Sequence, residues 1–376
     1  MKKSENRFVI VVGLVVLILV CSGVFGSHEI YRLTQNKLIF NIWCVLCFIF
    51  QTPLVIIPLD RGRTVGFVGK FLPQWVILSM VAWNLIQIFL LLLSPIIIFL
   101  PAKNIFSEYF PVAFGLIIIG IVFRSAYRVV ERVIKLKIES LPLDWKPLTI
   151  LHLSDIHSGP FMRFSHLNKI VARVNKTTFD LCVVTGDIVN HSAKELGWTL
   201  SLLEKINSRL GVYASIGNHE YIDNDKEVIE GYKNSSVELL LDSSKFISTE
   251  KARVRLIGVD FPFDNGVTGV DEINSALAKS IGLAPIEEGE FQVLLSHHPD
   301  GFKIAQSLGI PLTLSGHTHG GQIKFGKKGI ANMLYEYVMG LYEQGGSFLY
   351  VSAGLGNWLP FRINVPCEYA LITIEK

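Results

Sequence analysis

Charge is scarce in this chain. Only 18% of its 376 residues are Asp, Glu, Lys or Arg, half are hydrophobic, and the mean hydropathy is +0.42. That composition excludes a disordered chain and speaks against a wholly soluble one. Cysteine is scarcer still. Cys21, Cys44 and Cys47 lie in apolar runs, and Cys182 and Cys367 stand far apart downstream. No disulfide framework or zinc-finger spacing can be built from these five. A basic domain is also missing. The formal charge of +3 is uneven: residues 1–123 carry a net +5, 124–146 a net +3 and 147–376 a net −5. The large polar segment is acidic, which argues against a nucleic-acid partner.

Long apolar runs are what the first third does have. They cover 8–25, 38–59, 75–100 and 110–123, the last extending to 105–123 if Glu108 sits at an interface. A helix needs about 20 residues to cross the hydrocarbon core, so these runs predict an all-α membrane domain of about four transmembrane helices over 1–123. The first run follows Lys2, Lys3 and Arg7 as a signal peptide would. Three further runs after it favour a retained anchor instead. With four spans, one side of the membrane collects 11 Lys/Arg and the other 3. This places both termini, and the polar domain, in the cytoplasm of a multi-pass protein, expected in a bacterial inner or cell membrane. No ionisable residue sits deep in a run, which leaves a transport pathway little support. Asn84 and Gln87 read as polar contacts between helices. Residues 124–146 read as a basic juxtamembrane linker, whose Arg124, Arg128, Arg132, Lys135 and Lys137 would meet anionic membrane lipids at about 1 kcal/mol each.

From 147 to 376 short apolar strands alternate with polar helical patterns, and later strands dominate. This predicts an α/β sandwich with two sheets. Strands are expected at 148–153, 181–185, 212–216, 254–259, 292–297, 311–316, 347–353 and 369–374. Helices are expected near 165–176, 194–209, 223–233, 271–280 and 301–309.

Polar residues cluster where these strands stop. SDIHSG brings Asp155 and His157 two positions apart, on one side of an extended chain. GDI carries Asp187, GNHE carries Asn218 and His219, SHH carries His297 and His298, and GHTHG carries His317 and His319. Loops at the strand ends of one sheet edge are where open α/β folds build sites. Carboxylate, imidazole and carboxamide together suit Mn, Fe or Zn rather than copper(I) or iron–sulfur clusters. Seven candidate ligands exceed the four or so of one zinc site. Two ions sharing a bridging carboxylate explain them better, and paired ions stabilise both oxygens of a phosphoryl displacement. A single D-x-H or G-D would ordinarily be structural. The ordered set, each member at a strand end, is what carries the reading. His152, His166 and His191 read as structural, and His28 as a loop residue.

SDIH, GD, GNHE, the single His and GHTH together resemble the calcineurin-like metallophosphoesterases over roughly 148–376. The stretch GLGNWLPFRINVPCEYALITI (354–374) also resembles membrane-linked bacterial members. The resemblance implies a four-layer α/β/β/α sandwich with a dinuclear metal site, manganese first in order. It implies Asp155, His157 and His319 on one ion, Asn218, His297 and His317 on the other, and Asp187 bridging. His219 would contact the phosphate and protonate the leaving oxygen, His297 rather than His298 would be the ligand, and Arg362 would reach substrate phosphate, with a buried ion pair or a surface role as its alternatives. Glu220 would support its turn. The implied activity is hydrolysis of a phosphodiester or pyrophosphate by metal-activated water. A lipid-linked substrate fits a tethered domain, since some members are UDP-2,3-diacylglucosamine pyrophosphohydrolases. Soluble phosphomonoesters or nucleotides are the alternative substrates. A non-catalytic membrane scaffold would have lost ligands, and all seven positions are present. The apolar stretch 332–350, just after GHTHGGQ, reads either as core or as a lipid-facing lip.

Overall fold

A computed structural model describes residues 21–32, 35, 37–59, scattered helical positions between 83 and 127, and 128–376 except 140, 143, 160, 191, 223, 249–252, 262–289, 327 and 359–361. Contacts divide the chain into two compact units, Met1–Arg124 and Ser125–Lys376.

In the first unit residues 21–32 are helical, and helix α1 spans Lys37–Leu59 on the second apolar run. Side chains of α1 are described only as far as residue 49. Among the described residues no helix is long and apolar enough to cross a membrane. Most of the first, third and fourth runs, and with them three of the four expected spans, lie outside the described residues. Asn84 and Gln87 are buried, and Gln87 lies 3.2 Å from Cys47 Sγ. Turned over, its amide would donate to Ser22 O and accept from Trp43 Nε1, both at 3.1 Å. That is the polar contact between apolar helices expected of this residue.

The second unit is built from β1 (Val129–Lys137), β2 (Leu148–Leu153), β3 (Leu181–Thr185), β4 (Val212–Ser215), β5 (Glu238–Leu239), β6 (Ser243–Ser248), β7 (Arg253–Gly258), β8 (Phe291–Leu295), β9 (Leu312–Ser315), β10 (Lys324–Phe325), β11 (Lys328–Gly329), β12 (Gly340–Gln344), β13 (Ser347–Val351) and β14 (Cys367–Glu375). Its helices are α2 (Phe164–Val174), α3 (Leu196–Leu203), α4 (Asp225–Lys233) and α5 (Phe302–Ser307). One sheet has the order β1-β14-β2-β3-β4-β5 and a second has β12-β13-β9-β8-β7-β6, while β10 and β11 form a small hairpin. In each large sheet the strands that carry the chemistry run parallel.

Strand side chains alternate between faces, and here both faces are buried. On β2, Leu148 and Ile150 join Leu256, Val293, Leu295 and Leu314 of the second sheet. Leu151 and Leu153 instead join Leu167, Leu200 and Val228 of α2, α3 and α4. Beyond the second sheet, Ile257 and Leu294 pack with Ala305 of α5. The layers therefore run helix, sheet, sheet, helix, as expected. Burial on both faces is why these strands read as unbroken apolar runs. The helix expected at 271–280 lies outside the described residues.

Two readings need correction. Residues 129–137, inside the expected linker, form β1, paired in parallel with β14 from Val129↔Cys367 to Lys137↔Glu375. Arg132 donates to the buried Glu368 at 2.9 Å, and Tyr369 donates to Glu131 at 2.8 Å. Charges spaced along VVERVIKLK suit an edge strand as well as a membrane surface, and the linker reading weighed only the second. Likewise 332–350 is neither wholly core nor wholly lip. It holds the end of a short 3-10 turn, Ile330–Met333, and the β12–β13 hairpin. Tyr337 and Val338 are core, while Met333, Leu334 and Leu341 are exposed.

His152, expected to be structural, lies buried between the sheets with Nε2 2.8 Å from Thr185 Oγ1. Burial lowers its pKa from 6.5 to about 3. The unfolded chain thus takes a proton below about pH 6.5 that the folded chain refuses. This contribution to stability is present above pH 6.5 and is lost as pH falls toward 3. The slope approaches about 1.4 kcal/mol per pH unit. Urea unfolding at pH 7 and pH 5 should show wild type losing clearly more stability than His152→Gln. Equal losses would refute the assignment.

Candidate metal centre

The five polar loops leave the ends of β2, β3, β4, β8 and β9 and converge at one edge of the two sheets. Their backbones are unusual. Asp155 (φ 51°), His157 (49°), Asp187 (53°), His317 (69°) and His319 (50°) all occupy the left-handed region. Such residues cost roughly 1–3 kcal/mol each and persist only where surroundings fix them. The fixing groups are visible. His157 N donates to Asp187 O at 2.9 Å, and His317 N donates to Asp155 Oδ1 at 3.0 Å, tying the sheets together. Glu220, fully buried, accepts from Asp187 N (2.9 Å), Ile188 N (2.7 Å), Val189 N (3.2 Å) and Gly217 N (2.7 Å). Two glycines are required by close approach. A Cβ at Gly217 would strike Asp187 Oδ1, and one at Gly316 would strike Ser154 Oγ and Asp155 Oδ2.

Asp155, His157 and His319 form one group of possible ligands, and Asp155, Asp187 and His297 another. His157 Nε2 lies 2.9 Å from His319 Nε2 and 3.5 Å from Asp187 Oδ2. His297 Nε2 lies 3.3 Å from Asp187 Oδ2. His317 Nδ1 and Asn218 Oδ1 are 3.0 Å apart. The seven residues singled out from sequence are thus brought together. Of the adjacent pair, His297 stands beside Asp187, while His298 Nδ1 accepts from Asp300 N at 3.2 Å and its ring lies 4.7 Å from that of His317.

The electrostatics fit a cation site. Burial raises the Asp155 carboxyl to about 6, partly offset by His297. Burial would also raise Asp187, but His297, His219 and His157 outweigh it and hold that carboxyl well below the usual range. Burial works against a charged His297, yet Asp187 and Asp155 prevail and lift it to about 10. Burial, then neighbouring imidazoles, keeps His317 and His319 well below 6.5 and so neutral, the state in which imidazole binds metal. Facing imidazole nitrogens beside two buried carboxylates are a donor set suited to divalent ions.

His219 is oriented differently. Its Nδ1–H donates to the Asn190 carbonyl, leaving Nε2 toward the centre, 4.0 Å from Asp187 Oδ2. With His157 and Asp187 it forms a third possible ligand group. Asn190 carried no signal in the sequence, since only its backbone acts. Phe261 and Tyr335, also unremarked in this role, flank His317 at 5.7 and 5.8 Å between ring centroids. Arg362 is fully buried, with its guanidinium behind His319 and 3.0 Å from Nδ1.

Residues 148–321 match the calcineurin-like phosphoesterase family. An uncharacterized metallophosphoesterase of Campylobacter jejuni is 30% identical over 233 residues, 61% of this chain and 60% of that protein. A transmembrane protein with metallophosphoesterase domain from Danio rerio is 31% identical over 259 residues, 65% of this chain and 56% of that one. Both alignments span less than two thirds of those relatives. A solved 5'-nucleotidase precursor from Thermus thermophilus aligns at 14% identity and a TM-score of 0.38, over 61% of this chain and 54% of that one. Residues 148–321, which carry all seven candidate ligands, thus match a family of metal-dependent phosphoester hydrolases.

Proposed function

We propose that this chain is a membrane-attached, two-metal phosphoesterase that hydrolyses a phosphodiester or pyrophosphate bond. The observation that carries the reading is the convergence of Asp155, His157, Asp187, Asn218, His297, His317 and His319 at one sheet edge. Asp155, His157 and His319 would hold one ion, Asn218, His297 and His317 the other, and Asp187 would be shared by both. Manganese is the ion proposed, with iron and zinc as the alternatives. Bound there, two divalent ions supply an activated water and neutralise charge developing on phosphate oxygens. His219, its Nδ1 held by Asn190, presents Nε2 to the leaving oxygen as general acid. Asp187→Asn should remove most activity and much metal. His219→Ala should keep both ions and lose about 10²–10⁴-fold in rate. Elemental analysis separates the two roles, and an emptied centre in His219→Ala would make His219 a ligand instead.

The proposed substrate carries acyl chains. Met333 and Leu334 are exposed immediately before Tyr335, whose ring stands 5.8 Å from His317. An apolar lip beside a phosphoesterase centre favours a lipid-linked phosphate over a soluble nucleotide or phosphomonoester. In mixed micelles kcat/KM should favour an acylated substrate over its deacylated form, and Met333→Ser with Leu334→Ser should reduce that preference. Equal values for the two substrates in the wild type would leave a general phosphodiesterase.

Membrane attachment rests on the four apolar runs of 1–123 and on the Danio rerio relative being named a transmembrane protein. The 11-to-3 bias in loop Lys/Arg supports a cytoplasmic centre. A reporter active only outside the cytoplasm, fused after Lys376, should stay silent. A strong signal would require an odd number of spans.

A further inference from the structure

We propose that Glu368 is a positioning residue of the metal centre. It fastens the loop after β13 against the turn that carries Asp155, so that the Asp155 carboxylate stays aimed at an ion. The inference rests on the ligand assignment proposed above. It concerns a residue beyond the 148–321 stretch that matches the family.

Glu368 stands near the start of β14 and is 1% exposed. An ionised carboxylate only accepts hydrogen bonds. Oε1 accepts from the Tyr350 hydroxyl at 2.7 Å and from Ala353 N at 3.1 Å, and Oε2 accepts from Arg132 Nε at 2.9 Å. The backbone N of Glu368 donates to Gly354 O at 2.9 Å. Side chain and backbone thus fasten successive residues of the loop that crosses from β13 in one sheet to β14 in the other. An apolar residue at 368 would fill this space at a lower desolvation cost. It would not accept the Ala353 amide.

The loop in turn grips the first metal-binding turn. Leu355 N donates to Ser154 O and Gly356 N donates to Asp155 O, both at 2.8 Å. The peptide groups on either side of Asp155 are therefore both held through the loop. Packing here is backbone against backbone. A Cβ at Gly356 would strike Ile156 O, and one at Gly354 would lie 2.9 Å from Asp155 Cβ. Asp155 has a φ of 51°, in the left-handed region. Such a conformation persists only where its surroundings fix it. With the loop released, the turn relaxes and carries the carboxylate away from His157 and His319.

The test uses the full chain in detergent, with Mn²⁺ alone as the probe. Glu368→Gln keeps an acceptor for Ala353 N without the charge, since the 43% exposed Arg132 side chain can turn to water. Glu368→Asp keeps the charge but is too short to reach, and Glu368→Met loses both. Tyr350→Phe removes a neighbouring buried hydrogen bond and leaves the loop fastened. Outer-shell changes weaken metal binding by about 10–100-fold, and the lower end is expected for a group acting through a loop. Calorimetric or EPR titration should show that loss for one of the two Mn²⁺ equivalents in Glu368→Met and a smaller one in Glu368→Asp. Glu368→Gln and Tyr350→Phe should keep wild-type affinity. At fixed subsaturating Mn²⁺, kcat should fall in Glu368→Met while KM holds. If Glu368→Met does not fold, the contrast between Glu368→Asp and Glu368→Gln decides. Wild-type affinity in Glu368→Asp and a folded Glu368→Met would overturn the proposal. So would an equal loss in Tyr350→Phe, which would mark a general loosening, or in Glu368→Gln, which would make the charge responsible. Failure of the wild type to bind Mn²⁺, Fe²⁺ or Zn²⁺ would overturn the two-metal reading, and this inference with it.

Discussion

Two carboxylates with almost no water access govern the second unit. Asp155 and Asp187 stand at the end of the seam between two apolar sheets, where solvation cannot offset their charge. Cationic partners must do so, and the neighbourhood is arranged accordingly. His297 is pushed toward its charged form by both carboxylates, and backbone N–H groups converge on the turns. The left-handed residues, the close-approach glycines and the buried Glu220 follow from the same need. Each keeps an expensive arrangement of like charges from relaxing. A divalent ion meets that need better than a proton on imidazole, because it brings two charges and accepts several oxygen and nitrogen donors at once.

The sequence disclosed this centre unusually well, for a physical reason. Parallel strands buried on both faces announce themselves as apolar runs, and a metal ligand must stand at a run's end, where the next residue is polar. Asp155, Asp187, Asn218 and His317 stood out as members of an ordered set of such juxtapositions, and the family resemblance chose His297 over His298. Other parts carried weaker signals. Asn190 acts through its carbonyl, which any residue would supply. Arg362 has a side chain whose type suits phosphate, a buried partner or the surface alike, and only the packing gives its guanidinium the carbonyls of Ala353 and Gly356 and the side-chain oxygen of Asn357. β1 was hidden because an edge strand with spaced charges has the composition of a membrane-surface linker. Its register depends on β14, more than two hundred residues away, and no local pattern records that pairing.

The two units also differ in how their polarity is handled. In the second, the buried polar groups around the centre orient one another, as Glu220 does for the turns at Asp187 and Gly217. In the first, the described buried polar groups are few, and Gln87 beside Cys47 has the character of a contact made where water is absent. Among the described residues of the second unit, Asp155, Asp187, Glu220, His157, His297 and His319 gather buried charge and imidazole at one sheet edge.

The position of β14 has a consequence for synthesis. It is the last strand to emerge, yet it lies between β1 and β2, the first two made. Until residues 367–375 leave the ribosome, β1 has no partner and β2 presents an open edge. Glu368, which anchors Arg132, Tyr350 and the Ala353 amide, arrives with the same strand. Contacts of such long sequence separation form slowly and leave exposed strand edges in the meantime. The nascent chain therefore carries an unfinished sheet through most of its elongation. Protection of that edge, by a chaperone or by rapid emergence of β14, would favour correct closure of the sheet over pairing with another chain.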